Sequence, residues 1–158
     1  MTKAKILIID DEEDIRESLS DIIKDEGFEV VVAENAVKAR EIKSKIRFDL
    51  ILLDIWMPDC DGISLLKQWS KDKEINCPVI MMSGHGTIDT AIEATKIGAF
   101  DFLEKPISLQ KLLKTISLAL KKSIHITKLD ISFINDVESP VIKILRQRLK
   151  DLKKENLI

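Results

Sequence analysis

The stretch Phe48–Gly62, FDLILLDIWMPDCDG, decides the fold of this chain. Its apolar run Leu50–Leu53 is bounded by polar residues and is rich in branched side chains, a pattern typical of a fully buried β-strand. A single carboxylate, Asp54, ends the run, and a loop turned by Met57 and Pro58 follows it. Because open α/β folds place their chemistry at the carboxyl edge of the sheet, we expect Asp54 to lie at that edge.

Four other apolar runs have the character of buried strands. These runs are Lys5–Ile9, Phe28–Ala33, Pro78–Met82 and Ala99–Leu103. Apolar residues at helical spacing follow each strand, and Asn35 and Ser108 stand where N-caps of the second and fifth helices are expected. Five strands alternating with five helices through residue 122 predict an α/β fold, a doubly wound and mainly parallel sheet covered by helices on both faces.

The composition is that of a globular protein with a core of ordinary size. The chain has 158 residues, 45% of them hydrophobic and 33% charged, which allows one domain with some excess. Cys60 and Cys77 are the only cysteines, and their spacing favours a reducing compartment over a disulfide scaffold. No signal peptide precedes Lys3 and no apolar run approaches ~20 residues, so we expect a cytoplasmic protein without a membrane anchor.

Charge is distributed unevenly along the chain. Residues 1–120 hold 16 Lys and Arg against 22 Asp and Glu, a formal charge of −6, whereas residues 121–158 hold 9 against 5, or +4. A basic tail can contact nucleic acid, but a solvated helix face is the commoner explanation, and no DNA-binding helix-turn-helix is discernible after residue 122. We therefore expect no direct nucleic-acid contact from this chain.

Polar residues stand at the ends of the other predicted strands as well. Asp10 and Asp11 follow the first strand, Ser83 follows the fourth, and Lys105 lies just beyond the fifth. In a parallel sheet these side chains share one edge with Asp54. Three neighbouring carboxylates repel one another and require a cation, and all-oxygen ligands suit Mg²⁺ or Mn²⁺. The alternative is that the acids over residues 10–14 only complement the N-terminus of the first helix.

A cation held by acids, beside a carboxylate and a lysine, can bind a phosphoryl group and stabilise its in-line transfer. A carboxylate can also act as the nucleophile and form an aspartyl-phosphate. These residues and their spacing resemble the receiver domain of response regulators in bacterial two-component signalling. Four motifs occur in the right order, DD after the first strand, DxxMPxxDG after the third, SGHG after the fourth and KP after the fifth.

The resemblance covers residues 3–122 and implies a flavodoxin-like sheet with strand order 2-1-3-4-5, flanked by five helices. Asp54 matches the phospho-acceptor, Ser83 the switch hydroxyl and Lys105 the lysine that pairs with the phosphoryl group. Phe102 matches the aromatic switch that turns inward on activation, although it lacks the phenol found in many relatives. The resemblance also implies a cis bond between Lys105 and Pro106.

The same resemblance implies a Mg²⁺ site. Asp10, Asp11 and Asp54 match its acidic ligands, and the backbone carbonyl of Trp56 matches its remaining protein ligand. We further hypothesise that the Trp56 indole shields the acyl phosphate from water. His85 is more simply explained as a solvated loop residue than as a group that positions water.

The predicted function is signal reception rather than enzymatic turnover. A histidine kinase transfers its phosphoryl group to Asp54, and the face made by the fourth helix, fifth strand and fifth helix then switches to control homodimerisation or a transcription-activation output. The run SGHGTIDTAIEATKIGAFDFLEKP is similar to receivers of sigma-54-dependent activators of the nitrogen-regulation type. The alternatives are a Mg²⁺-dependent phosphatase or phosphotransferase with an aspartyl nucleophile, and an interaction module independent of phosphorylation.

Residues 123–158 are expected to form a linker and an amphipathic helix. Lys121–Lys128 has the composition of a polar link, and Pro140–Asn156 has strong helical character. Glu138–Ile142 resembles the lead-in to the AAA+ domain of such activators, yet no GxxxxGK[ST] phosphate loop is present. A short coiled-coil linker and a helix that packs on its own domain remain the alternatives.

Overall fold

The computed structural model describes residues 3–84 and 88–128, with side chains described as far as residue 121. Each of its five strands is followed by a helix. The elements are β1 (Lys5–Ile9), α1 (Glu13–Asp25), β2 (Glu29–Ala33), α2 (Ala36–Lys45), β3 (Leu50–Asp54), α3 (Gly62–Lys71), β4 (Val79–Ser83), α4 (Ile88–Ile97), β5 (Asp101–Glu104) and α5 (Leu109–Lys128).

The five strands form one sheet in the order β2-β1-β3-β4-β5, and all four pairings are parallel. This arrangement confirms the predicted doubly wound fold and its strand order. Strands β3 and β4 are buried along their whole length, and β1 is buried after its first residue. Because helices cover both faces of these strands, their sequences are continuously apolar instead of alternating.

Two apolar cores lie on opposite faces of the sheet. Successive side chains of a strand point to opposite faces, so Leu7 and Leu53 pack in one core while Ile8 and Leu52 pack in the other. Trp69 of α3 belongs to the first core and is only 1% exposed. Since each fully buried aliphatic side chain contributes roughly 1.5–3 kcal/mol, these cores provide the rigid support for the polar residues at the strand ends.

The predicted helix caps are present. Asn35 accepts a hydrogen bond from the backbone N–H of Lys38 at 2.8 Å, and Ser108 accepts one from Lys111 at 3.1 Å. Beyond α1, Gly27 has φ +92°, a left-handed conformation that favours glycine over any residue with a Cβ. Local sequence therefore sets these helix ends.

The last helix is longer than predicted. We expected a polar link over residues 121–128, but α5 continues to Lys128. Residues 109–128 contain neither Gly nor Pro, so the sequence offers nothing that interrupts helical hydrogen bonding there. The predictions for the tail beyond residue 128 lie outside the described residues. Within the described ranges, no helix combines the length and apolarity that crossing a bilayer requires.

Candidate functional site

The carboxyl edge of the sheet brings the predicted polar residues together. Asp54 is the last residue of β3, Ser83 is the last residue of β4, and Asp10 directly follows β1. Ser83 is level with Glu104 of β5, and its carbonyl accepts a 2.8 Å hydrogen bond from the N–H of Lys105. Asp10, Asp54 and Ser83 are at most 1% exposed. The carboxyl edge of the sheet thus holds a compact group of polar side chains, which the buried strands support.

Asp54 is a carboxylic acid with a strongly raised pKa. Burial and the neighbouring Asp10 and Asp11 carboxylates raise the pKa of Asp54 from 3.8 to about 7. The ammonium of Lys105 and a backbone hydrogen bond from Trp56 act in the opposite direction but do not outweigh them. Since desolvation and like charges both disfavour the ionised form, Asp54 lies in a site that favours additional positive charge.

Lys105 provides one fixed positive charge at this edge. Its Nζ lies 2.8 Å from Asp10 Oδ2 and 3.5 Å from Asp54 Oδ1, and the side chain is 12% exposed. Burial lowers the pKa of Lys105, but Asp10, Asp54 and Glu12 outweigh this effect, so the pKa is raised above 10.5. Lys105 therefore stays an ammonium at physiological pH. The peptide bond to Pro106 is cis, as expected.

The loop between β1 and α1 fixes the orientation of Asp10. The backbone N–H of Asp10 donates to the carbonyl of Ala33 at 3.1 Å, and the backbone carbonyl of Asp10 accepts a 2.8 Å hydrogen bond from Arg16 Nη1. The N–H of Glu12 donates to Asp10 Oδ1 at 2.9 Å. One carboxylate oxygen is thus held by the loop, and the other is left at the distance of an ion pair from Lys105.

The acids at this edge fit a divalent cation. Carboxylate oxygens of Asp10, Asp11 and Glu12 lie within 4.8 Å of one another. Two buried oxygens, Asp10 Oδ2 and Asp54 Oδ1, form no hydrogen bond of regular geometry within the described part of the chain, although the Lys105 ammonium lies 2.8 and 3.5 Å from them. Oxygen ligands with spare lone pairs and a net negative charge suit Mg²⁺. Asp54 is not one of these three clustered acids, but the Lys105 ammonium contacts both Asp54 and Asp10.

The loop after Asp54 returns close to the end of β3. The N–H of Gly62 donates to the carbonyl of Ile55 at 2.7 Å, and Asp61 caps α3 by accepting from the N–H and hydroxyl of Ser64. A Cβ at position 62 would lie 2.2 Å from the carbonyl oxygen of Asp54. Only glycine allows the start of α3 to lie against the end of β3 in this way.

The same loop is also tied to a neighbouring helix. The two carboxylate oxygens of Asp59 accept hydrogen bonds of 3.2 and 3.1 Å from the N–H groups of Ala36 and Val37, at the start of α2. Burial opposes ionisation, but the backbone hydrogen bonds from Ala36, Val37, Asp59 and Cys60 together outweigh it and lower the pKa of Asp59. The loop between β3 and α3 is therefore held at its middle as well as at its end.

The remaining predicted site residues differ in exposure. Phe102 of β5 is half-buried and packs against the first core, beside its register partner Met81. Trp56 is 56% exposed. His85 lies outside the described residues. The aromatic side chains therefore occupy two environments, one within the packed structure and one largely exposed to solvent in the loop between β3 and α3.

Sequence analysis missed three residues that shape this edge. Glu12 was treated as a helix-terminus acid, but its carboxylate Oε1 lies 3.4 Å from Lys105 Nζ. Arg16 bonds the backbone of Asp10, and Gly62 allows the close approach to Asp54. The DG pair at the end of the opening stretch was a signal for Gly62. No local pattern indicated a contact between Glu12 and Lys105, 93 residues apart.

The parallel sheet in this order defines a CheY-like α/β protein, and comparison with known families makes the assignment specific. The profile of the "Response regulator receiver domain" family matches residues 6–117. The chain belongs to this family, and the predicted resemblance is confirmed.

Individual relatives agree with the family assignment. An NtrX-like response regulator of Rickettsia bellii is 42% identical over 144 residues, which cover 90% of this chain and 29% of that protein. The response regulator protein PilR of Pseudomonas aeruginosa is 40% identical over 121 residues, 77% of this chain and 27% of that protein. The chain therefore spans less than a third of the length of these relatives.

Solved structures show the same likeness. The beryllofluoride-activated NtrC4 receiver domain dimer has a TM-score of 0.69 and 40% identity, covering 75% of this chain and 98% of that one. A CheY-like receiver domain from Methanospirillum hungatei has a TM-score of 0.74 and 29% identity, covering 78% of this chain and 98% of that one.

Proposed function

We propose that this chain is a phosphorylation-dependent receiver that accepts a phosphoryl group on Asp54 from the phosphohistidine of a sensor kinase. The observation that carries the proposal is the shared ammonium of Lys105, 2.8 Å from Asp10 and 3.5 Å from Asp54 at a buried edge. A lysine held between two buried acids can bind a phosphoryl oxygen as soon as one of those acids is esterified.

The proposed reaction is an in-line displacement at phosphorus. A deprotonated oxygen of Asp54 attacks the phosphorus atom of phosphohistidine, and the phosphorus–nitrogen bond breaks as the phosphorus–oxygen bond forms. The electron pair of the broken bond stays on the imidazole nitrogen, which takes a proton from solvent. The products are an acyl phosphate on Asp54 and a neutral histidine on the kinase.

The chain's own residues stabilise the transferred group in this proposal. Lys105 neutralises charge on one phosphoryl oxygen, and the hydroxyl of Ser83, which also ends a buried strand at this edge, donates to another. Mg²⁺, when bound, supplies a second positive charge at the phosphoryl oxygens. We expect Asp10, Asp11, Asp54 and the backbone carbonyl of Trp56 to hold it.

Phosphorylation then acts as a switch between two states. We infer that Ser83 moves toward the phosphoryl group and that Phe102 turns further inward, which shifts the face formed by α4, β5 and α5. Within this face Ile88 and Ile92 of α4 are 80% and 47% exposed, so apolar surface is available for a second copy of the chain. Homodimerisation in the cytoplasm, with control of a sigma-54-dependent activator, is the output that we propose.

Intact-protein mass measurement after incubation with acetyl phosphate and Mg²⁺ tests the proposal. We expect one phosphoryl group per chain, lost in Asp54→Asn and retained in Asp72→Asn, a matched change at the exposed C-cap residue that follows α3. Continuous release of phosphate with many turnovers would favour a phosphatase instead. No labelling, together with no effect of Mg²⁺ on Trp56 fluorescence, would favour an interaction module.

A further inference from the structure

Glu12 occupies the N-cap position of α1 but does not act as a capping side chain. Its backbone is extended, with φ −85° and ψ 115°, yet its carboxylate makes no hydrogen bond to the first turn of the helix. Glutamate is a weak N-cap compared with Asp, Asn or Ser, because its longer side chain reaches past the first-turn N–H groups. The carboxylate instead extends toward the edge of the sheet, where Oε1 lies 3.4 Å from Lys105 Nζ.

Lys105 therefore has three acidic neighbours in the structure. Asp10 lies at 2.8 Å, Glu12 at 3.4 Å and Asp54 at 3.5 Å from its ammonium nitrogen. A lysine ammonium has three N–H donors and no acceptor, and these three carboxylates surround it. A phosphoryl oxygen that bonds Lys105 must consequently move the ammonium away from at least one of the three.

The three carboxylates differ in how much it costs to separate each of them from Lys105. The side chains of Asp10 and Asp54 are 0% and 2% exposed, whereas that of Glu12 is 61% exposed. A buried carboxylate that loses its partner is left uncompensated, but an exposed carboxylate is rehydrated at little cost. Glu12 is the neighbour that Lys105 can leave most readily.

We propose that Glu12 is a positioning residue that holds Lys105 in the unphosphorylated state and is displaced when a phosphoryl group arrives on Asp54. This inference rests on the proposed function of Asp54. Glu12 competes with the phosphoryl group for the same ammonium and adds a like charge beside it, so it stabilises the unphosphorylated state relative to the phosphorylated one. Its carboxylate sets how strongly the site retains a phosphoryl group.

Equilibrium binding of beryllofluoride, an anionic mimic of the phosphoryl group, tests the proposal without requiring turnover. Trp56 fluorescence at saturating Mg²⁺ reports binding in wild type, Glu12→Gln and Glu13→Gln. Glu13, the first residue of α1, is exposed, so Glu13→Gln makes the same change in net charge. We expect Glu12→Gln to bind beryllofluoride about two- to fivefold more tightly than Glu13→Gln, the range that an exposed ion pair contributes.

A Mg²⁺ titration of the same variants separates this role from metal ligation. We expect the Mg²⁺ affinities of Glu12→Gln and Glu13→Gln to agree within about twofold, because both lose one nearby negative charge. Equal beryllofluoride affinities in the two variants would overturn the proposal. A much larger loss of Mg²⁺ affinity in Glu12→Gln would also overturn it, since Glu12 would then be a metal ligand. If wild type fails to bind beryllofluoride, the proposed function of Asp54 itself is wrong.

Discussion

Lys105 and Asp10 form a buried ion pair, with Nζ 2.8 Å from Oδ2 and the aspartate side chain 0% exposed. The pair joins the loop after β5 to the loop after β1, at opposite sides of β3, the strand that ends at Asp54. Because the lysine also lies 3.5 Å from Asp54, it offsets part of the repulsion between the two acids. Lys105 therefore links the acids of two loops at this edge of the sheet.

Removal of the positive charge of Lys105 should destabilise the fold. Lys105→Met leaves the buried Asp10 without its counter-ion, so we expect the free energy of unfolding near neutral pH to fall by about 2–4 kcal/mol. Urea denaturation with a chelator present measures the loss. Lys111→Met, at an exposed lysine of α5, is the matched control and should change stability little. Equal stabilities of the two variants would show that the buried pair has no net effect.

The raised pKa of Asp54 predicts how stability depends on pH in the metal-free protein. Its pKa is about 7 in the folded state and 3.8 in the reference state, so the folded protein holds a proton that the unfolded chain has released. Stability is therefore lost as pH rises through this window, and the loss is complete above the folded pKa.

The variant Asp54→Asn should remove this loss of stability with rising pH. We expect its free energy of unfolding, relative to wild type, to increase by on the order of 2 kcal/mol between about pH 5 and about pH 8. Urea denaturation across this range gives the comparison, with Asp72→Asn as the control at an exposed site. A difference between Asp54→Asn and wild type that does not change with pH would contradict the assigned pKa.

Gly62 should tolerate no side chain. A Cβ there would lie 2.2 Å from the Asp54 carbonyl oxygen, so Gly62→Ala must displace either the start of α3 or the end of β3. We expect a loss of about 2 kcal/mol or more, typical of overpacking against backbone, together with slower labelling by acetyl phosphate. At Gly84 the nearest atom to an added Cβ is Lys105 Cβ at 4.0 Å, so Gly84→Ala is the control. Similar effects of the two substitutions would refute the steric argument.

The proposed shielding role of Trp56 can be tested through the lifetime of an acyl phosphate on Asp54. Trp56 follows Asp54 by two residues, and its side chain is 56% exposed. We expect Trp56→Ala to shorten the phosphoryl half-life by about two- to fivefold, because water reaches the phosphorus more easily, and Trp56→Phe to retain most of it. Decay of the phosphorylated species, followed by mass spectrometry, measures these half-lives. If wild type, Trp56→Ala and Trp56→Phe lose the phosphoryl group at the same rate, the indole is not a shield.

Much of this organisation is predictable because it depends on local patterns. Continuous apolar strands and helical periodicity specify the alternation of strands and helices. Because the strands are parallel, Asp54 and Ser83 at their carboxyl ends lie at one edge of the sheet. The contact between Glu12 and Lys105 was not predictable, because it depends on side-chain reach between two loops distant in sequence. The length of α5 was missed because polar composition was taken as the sign of a link, although no residue there ends a helix.

Peptide mass spectrometry after borohydride reduction tests the central claim most directly, because borohydride converts an aspartyl-phosphate to a stable reduced product at the residue that carried it. After incubation with acetyl phosphate and Mg²⁺, we predict the reduced product at Asp54 and unmodified side chains at Asp10 and Asp11. A reduced product at Asp10 or Asp11, or phosphate found on a serine or histidine with Asp54 unmodified, would contradict the account.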